Sequence, residues 1–343
     1  MLYPDRMSQA PAVRPRVFSG IQPSGEFHIG NWLGAVRTWA AQVAEQKEDL
    51  IFCIVDAHAI TADYEPADLR RRIDGMARDL VACGVDPEGC TLFVQSDVRE
   101  HTELAWYLVS VTPMGDLARM TQFKEKSAGK EHIPVGIFTY PVLMAADVLL
   151  YKAVAVPVGE DQVQHLELAR EIARRFNHRF GEVFPEPAAR LSKTPRIMGL
   201  DGQAKMSKSK GNALGLFEDR EAFWNRLKGA FTDPQRLRRS DPGRPEVCNI
   251  YTMHQALSTP EQVDLTYKEC TTAQRGCIDC KKILMESFDR ELVPLRIKRA
   301  ELEARPSRVR EALADGANKA RRIAQETMRE VRGAMGLGSG SDG

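Results

Sequence analysis

Residues 16–35 read Arg16-Val17-Phe18-Ser19-Gly20-Ile21-Gln22-Pro23-Ser24-Gly25-Glu26-Phe27-His28-Ile29-Gly30-Asn31-Trp32-Leu33-Gly34-Ala35. The order of elements in this stretch decides the fold. Arg16 to Ile21 is a short β-prone run, Pro23 and Gly25 mark a turn, and an amphipathic helical pattern opens at about Ile29. Strand, glycine-bearing loop and helix in that order build an anion site, because the N–H groups of the first helical turn and the positive end of its dipole face whatever lies over the loop. His28, at the helix entrance, can donate from its imidazole to a phosphate oxygen; it can equally be no more than a helix-start residue. The glycines fit neither G-x-G-x-x-G nor G-x-x-x-x-G-K-[ST], so the loop is a phosphate site of another kind.

The chain around it has 343 residues, long enough for a catalytic domain and a smaller second one. Hydrophobic residues make up 43% and charged residues 28%, as in ordinary globular proteins. A net charge of +1 excludes a uniformly basic nucleic-acid binder, so any RNA contact must come from local patches. Residues 1–15 hold no apolar core of a signal sequence and are expected to form a mobile extension. No uninterrupted apolar run approaches membrane-spanning length. A cytoplasmic location is expected, where thiols stay reduced, and the seven cysteines then need an explanation other than disulfides.

From Arg16 to about Leu200, β-prone and helical runs alternate. Leu50 to Val55 is a compact apolar run suited to a strand buried on both faces. Leu69, Ile73, Met76, Leu80 and Val81 share a helical face over the sheet. Thr91–Val94 and Val154–Val158 read as further strands, Glu103–Val111 as a helix, and Arg196–Leu200 as a last strand. The alternation predicts an α/β domain with a doubly wound parallel sheet whose ligands lie at the carboxyl ends of the strands. After about Leu200 the segments become helical and charged, with long helices over Leu284–Ala304 and Val309–Met335. The expected division is an extension at 1–15, a catalytic domain at 16–200, a loop at 201–212, an α-helical second domain at 213–335 and a disordered Gly/Ser-rich tail at 336–343.

The loop carries Lys205-Met206-Ser207-Lys208-Ser209 between Asp201-Gly202-Gln203 and Gly211-Asn212. Two ammonium groups among small hydroxyl residues can close over a triphosphate and meet the charge that moves onto leaving pyrophosphate. With His28-Ile29-Gly30-Asn31 as the first signature and Lys205–Ser209 as the second, the chain resembles the class I aminoacyl-tRNA synthetases. Ser19–Gly25 is similar to the tryptophan branch. Thr121–Glu131, Thr139–Tyr151, Val156–Leu168 and Gly336-Leu337-Gly338 resemble the same family, so the likeness runs from Arg16 to Gly338. Within Thr139–Asp147, Tyr140, Met144 and Asp147 fall on one helix face, giving an indole slot with aromatic and thioether walls and a carboxylate at one end.

The resemblance implies roles that spacing alone does not supply. Asp147 would accept the indole N–H, Val156 and Val158 would line the amino-acid pocket, and Gln162 would contact the substrate's polar end. Gly159-Glu160-Asp161 would meet the ribose and adenine of ATP. Gln22-Pro23-Ser24 with Gly30-Asn31 would hold phosphate and adenosine, and Ile197 would lie against the adenine. Lys126 matches a lysine used on the phosphates, with Lys124 and Lys130 as rivals on the same loop. The family also implies magnesium on the triphosphate, tRNA as partner and a homodimer, the last in keeping with the apolar Leu104, Trp106 and Leu108. The expected activity is tryptophan–tRNA ligation; activation of tyrosine, or a synthetase-derived regulatory protein, are the alternatives.

Cys53, Cys83 and Cys90 sit among apolar or small neighbours and read as packing residues. Cys248, Cys270, Cys277 and Cys280 follow the pattern C-x21-C-x6-C-x2-C, and four thiolates so spaced can enclose zinc or an iron–sulfur cluster. Some tryptophanyl-tRNA synthetases hold a four-iron four-sulfur cluster beside the anticodon site on a similar pattern whose first interval is one residue longer. The cluster is the favoured reading, against zinc or no metal. Arg275, Lys281 and Lys282 flank these cysteines, either as an RNA-facing patch or as a solvated charge run.

Overall fold

The computed structural model describes residues 14–129, 131–191, 197–204, 206–207 and 210–338, and of Asp161 the backbone alone. Five strands, β1 (Arg16–Ile21), β2 (Asp49–Ile54), β3 (Thr91–Val94), β4 (Ala155–Val158) and β5 (Ala188–Leu191), form one parallel sheet in the order β3-β2-β1-β4-β5. Val17 pairs with Leu50 on one side and with Ala155 on the other. The order therefore reverses between β1 and β4, which opens a crevice at their carboxyl ends. The fifth strand lies at Ala188–Leu191, ahead of the expected Arg196–Leu200. Its four residues are all exposed, so no apolar pattern announces it. Of the expected segment Arg196 is outside the described residues, and Ile197 to Leu200 form part of the stem of the lysine loop instead: Leu200 N–H donates to Asn212 O (2.8 Å) and Gly199 N–H to Ala204 O (2.7 Å).

Helices cover both faces. The signature helix is α1 (Ile29–Asn31), a five-residue π turn at Trp32–Val36 and α2 (Arg37–Glu45). The π turn inserts one residue into the helical repeat, and Trp32, Leu33 and Val36 all reach the core. Trp39 of α2 then stacks on Phe52 of β2 at 4.8 Å between centroids. The short α3 (Asp56–Ala59), α4 (Pro66–Ala82), α5 (Glu100–Val109), α6 (Met114–Ala118), α7 (Thr121–Ser127), α8 (Val135–Leu150) and α9 (Val163–Phe180) complete the sheet region. Beyond it come α10 (Arg220–Lys228), α11 (Asn249–Leu257), α12 (Pro260–Thr271), α13 (Cys277–Glu303) and α14 (Pro306–Met335).

Two hydrophobic clusters hold these layers. One joins Leu50, Phe52 and Leu80 of the sheet side to Ile250, Met253, Leu284 and Phe288 of α11 and α13, so the helical region shares its core with one face of the sheet. The other packs α5, α8 and α9 on the opposite face and takes in Ala317, Ala320, Ala324, Met328 and Val331 of α14. α14 lies along edge strand β3 so closely that a Cβ on Gly316 would stand 1.9 Å from Leu92 O. A helix thus covers a sheet edge that would otherwise present open carbonyls. Asp79 of α4, 2% exposed, accepts a hydrogen bond from Arg299 Nε of α13 at 2.7 Å. None of the described helices is long and apolar enough to cross a membrane.

Candidate active site

The helix entrance is built locally. His28 is extended (φ −120°), and its backbone N–H donates to Asn31 Oδ1 at 3.0 Å, so Asn31 closes the first turn back on the residue before it. Ile29 N–H donates to Leu214 O (2.9 Å) and Leu216 N–H to Phe27 O (2.8 Å), which clamps the exit of the lysine loop antiparallel to the signature. Gly30 is the point of closest approach. A Cβ there would lie 3.0 Å from the His28 ring and 3.4 Å from Met206 Cβ. Met206, 2% exposed, thereby fastens the second signature onto the first across a long stretch of sequence. Ser207 N–H donates to Asn212 Oδ1 (2.8 Å), whose Nδ2 donates to Asp201 Oδ2 (2.9 Å), which holds the neck of the loop. Lys205, Lys208 and Ser209 lie outside the described residues, as does Lys130. In the first loop Gln22 and Ser24 are exposed and Pro23 is buried.

The segment expected to carry the pocket, Thr139–Asp147, lies on α8. Tyr140 and Asp147 are buried and Met144 is half-buried on the same helix. Tyr140 O–H donates to Gln122 Oε1 at 2.9 Å and lies 2.9 Å from His165 Nε2; burial pushes the phenol up to about 12. Lys126 Nζ stands 4.2 Å over the Tyr140 ring centroid. Val156 and Val158, buried on β4, share a sheet face two residues apart. The chain then turns through Gly159 and Glu160, both exposed, to Gln162, with the Asp161 side chain outside the described residues. Ile197 is buried at the stem of the lysine loop.

Asp147 sits in a ring of donors that sequence reading did not single out. Gln95 Nε2 (2.6 Å) and His101 Nδ1 (2.7 Å) approach Oδ1, and His58 Nε2 (2.8 Å) approaches Oδ2. Burial raises the Asp147 carboxyl, but the His101 hydrogen bond and the His58 interactions outweigh it and hold the group below its usual range. His58 and Gln95 are both polar residues just past the carboxyl ends of strands β2 and β3, and that position was the available signal.

The four cysteines of the second region come from three helix ends. Cys248 precedes α11, Cys270 closes α12, and Cys277 and Cys280 open α13. They stand close enough that Cys280 feels the charge of the other three, and burial pushes its thiol up to about 12. Arg236 Nη1 lies 3.7 Å from Cys270 Sγ and 3.9 Å from Cys277 Sγ. Among the described residues, no three His, Cys, Asp or Glu side chains close into a metal-holding group. The expected basic flank is rearranged. Lys281 is 4% exposed and donates to Lys228 O (2.8 Å) and Ala230 O (2.6 Å), and Arg275 pairs with Glu269 and Thr266. Both satisfy acceptors within the protein, which leaves Lys282 exposed and paired with Asp279, a carboxylate that Arg239 also faces. Cys53, Cys83 and Cys90 are buried thiols, as their neighbours suggested.

Residues 10–293 match the family model for class I tRNA synthetases (W and Y). A tryptophan–tRNA ligase of Deinococcus radiodurans is 50% identical over 325 residues, covering 94% of this chain and 98% of that protein. One of Thermotoga maritima is 42% identical, over 94% and 99% respectively. The solved structure of Campylobacter jejuni tryptophanyl-tRNA synthetase complexed with ADP and tryptophan superposes with a TM-score of 0.84 at 36% identity, covering 94% of this chain and all of that one. Two joined signatures on a parallel sheet, matched nearly end to end at this identity, mean that the chain belongs to the class I aminoacyl-tRNA synthetases, in the tryptophanyl-tRNA synthetase family.

Proposed function

We propose that the loop and helix entrance at 22–31, the lysine loop and the Tyr140–Asp147 pocket divide the work of a tryptophan–tRNA ligase. In the reaction a tryptophan carboxylate oxygen bonds to the α-phosphorus of ATP and the bond to the bridging oxygen of pyrophosphate breaks. The 2′-hydroxyl of the terminal adenosine of tRNA then takes the aminoacyl group and AMP leaves. Gln22, Pro23, Ser24, His28, Gly30 and Asn31 take the phosphate and adenosine side, with Gly159, Glu160, Asp161 and Ile197 around ribose and adenine. Lys126, Lys205 and Lys208, with Met206, Ser207 and Ser209, meet the charge developing on pyrophosphate, and magnesium accompanies the triphosphate. Tyr140, Met144, Val156 and Val158 enclose the indole, Asp147 accepts its N–H, and Gln162 orients the amino-acid end. The approach of Met206 to Gly30 carries this assignment, because it brings both signatures to the strand ends that bear the pocket. Tryptophan-dependent ATP–pyrophosphate exchange, followed by charging of tRNA, is the test; exchange supported equally by tyrosine would overturn the pocket assignment.

Cys248, Cys270, Cys277 and Cys280 are assigned to a four-iron four-sulfur cluster in the tRNA anticodon-binding region, 213–335. Four thiols carried on three helix ends suit it by donor type, and the buried Arg236 Nε has no hydrogen-bond partner among the described residues, as a cation facing an anionic cluster would. When bound, the cluster supplies a rigid anionic crosslink between α11, α12 and α13. Protein purified without oxygen should show a broad visible band with matching iron and labile sulfide, lost in Cys270→Ser; colourless protein with zinc would refute the cluster. A homodimer in the cytoplasm completes the proposal. Trp106, Met114 and Val135 are 73%, 76% and 74% exposed on α5, α6 and α8, apolar side chains that a second copy would cover, whereas Leu104 and Leu108 lie in the core, and sedimentation at micromolar concentration measures it.

A further inference from the structure

Beneath the pocket, one imidazole connects the Asp147 carboxylate to a second buried polar group. His101 Nδ1 lies 2.7 Å from Asp147 Oδ1, and His101 Nε2 lies 2.8 Å from the Tyr151 hydroxyl. All three residues are 2% exposed or less. A carboxylate only accepts, so this geometry assigns the imidazole proton to Nδ1 and lets Tyr151 O–H donate to Nε2. Oδ1 then receives two donors, His101 and Gln95, and its lone pairs are filled. Oδ2 receives His58 alone among the described residues, so one acceptor position remains there.

We propose that His101 is a positioning residue for substrate specificity: by filling Oδ1 it leaves Asp147 one acceptor, on Oδ2, for a ring N–H at the end of the amino-acid pocket. The proposal rests on reading Asp147 as the indole acceptor. His101 never reaches the substrate; it acts through the orientation and charge of Asp147. The titratable groups facing Asp147 are His58 from α3, His101 from α5, Cys53 from β2 and Tyr151 at the end of α8, with Glu100 acting on Tyr151. Burial pushes the Cys53 thiol and the Tyr151 phenol well up, so neither charges near neutrality. Removing the His101 donor therefore lets burial raise Asp147, and a protonated carboxyl can point its O–H at the ring instead of accepting from it.

The test compares tryptophan with benzothienylalanine, in which sulfur replaces the ring N–H, in ATP–pyrophosphate exchange with the full chain. The wild type should favour tryptophan in kcat/KM. In His101→Leu this preference should fall by about tenfold or more, mainly through KM for tryptophan, the scale expected when a buried hydrogen bond to a charged group is lost. It should recover as pH rises and Asp147 ionises. His101→Asn, which returns an N–H near the Nδ1 position, should keep most of the preference. A preference unchanged in His101→Leu, or equal losses on both substrates at every pH, would overturn the proposal. Should the Leu variant not fold, Tyr151→Phe removes only the O–H that donates to His101 Nε2 and helps hold the ring against Asp147; the preference then drops by about two- to threefold, or stays put and refutes the role. Asp147→Asn separates the premise: if it leaves the wild-type preference intact, the indole reading of Asp147 fails, whatever His101 does.

Discussion

Replacing Gly316 by alanine tests the seat of α14 on the sheet. The added Cβ would stand 1.9 Å from Leu92 O and 2.7 Å from Leu92 C, whereas ordinary contact begins at 3.4 Å. The obstacle is backbone, so no side chain can rotate away, and helix and strand must part by about 1.5 Å at that point. Separation by even part of this distance thins the packing of Ala317, Ala320 and Ala324, all buried against the sheet face. Intrinsic helix propensity pulls the other way, since alanine is favoured over glycine in a helix interior by about 1 kcal/mol. Overpacking of about 1–3 kcal/mol plus the loosened seam outweighs that gain, for a net loss of about 2 kcal/mol. The comparison is Gly333→Ala in the same helix, where, among the described residues, no atom outside that stretch of helix backbone lies within 4 Å of the new Cβ and the propensity gain should appear unopposed. Thermal unfolding of both variants beside wild type is the assay, with Gly316→Ala melting lower and Gly333→Ala level or higher. Because β3 leads directly into Gln95, which holds Asp147, Gly316→Ala should also raise KM for tryptophan. A Gly316→Ala protein as stable as Gly333→Ala would show that α14 does not sit on Leu92 and would refute the reasoning.

Gly30→Ala pushes a methyl against the His28 ring and Met206 Cβ; we expect kcat for adenylate formation to fall by about tenfold or more with little change in melting temperature, read by pre-steady-state kinetics. Arg299→Ala leaves the Asp79 carboxylate buried without its main cation, and the loss should be about 3 kcal/mol in denaturant unfolding; Asp79→Asn in the same background should restore part of it, and no recovery would count against the ion pair. The Arg332 guanidinium and the Tyr107 hydroxyl hold Glu103 below the usual carboxylate range, tying the end of α14 to α5. A depressed folded pKa stabilises above the unfolded value, about pH 4.5, and that contribution disappears as pH falls through the folded pKa. The melting advantage of wild type over Glu103→Gln should therefore be present at neutral pH and vanish in acid; an advantage that grows in acid would reverse the sign and sink the assignment.

Much of the catalytic half was legible because its signals are local. The apolar runs at Arg16–Ile21, Leu50–Val55 and Thr91–Val94 are short and bounded by turn residues, and the structure has strands at these places. Tyr140, Met144 and Asp147 had to share a face once their segment was helical, since helical repeat alone sets that. Ala188–Leu191 carries no such pattern: it lies exposed at the edge, and only pairing of Val156 with Ala189 makes it a strand. Lys281 and Arg275 read as surface charge and became interior ties, because the carbonyls and carboxylate they satisfy come from other segments.

By itself, the sequence determined which segments are strands and helices near the signatures, and which residue types could meet a triphosphate or an indole. The tertiary structure alone decided that Met206 rests on Gly30, that His58, Gln95 and His101 converge on one carboxylate, and that α14 closes the sheet edge at Leu92. Backbone propensity and periodicity act between neighbours a few residues apart. Contacts across tens to hundreds of residues arise only when the sheet brings its strand ends together and burial leaves each polar group the partners that packing supplies.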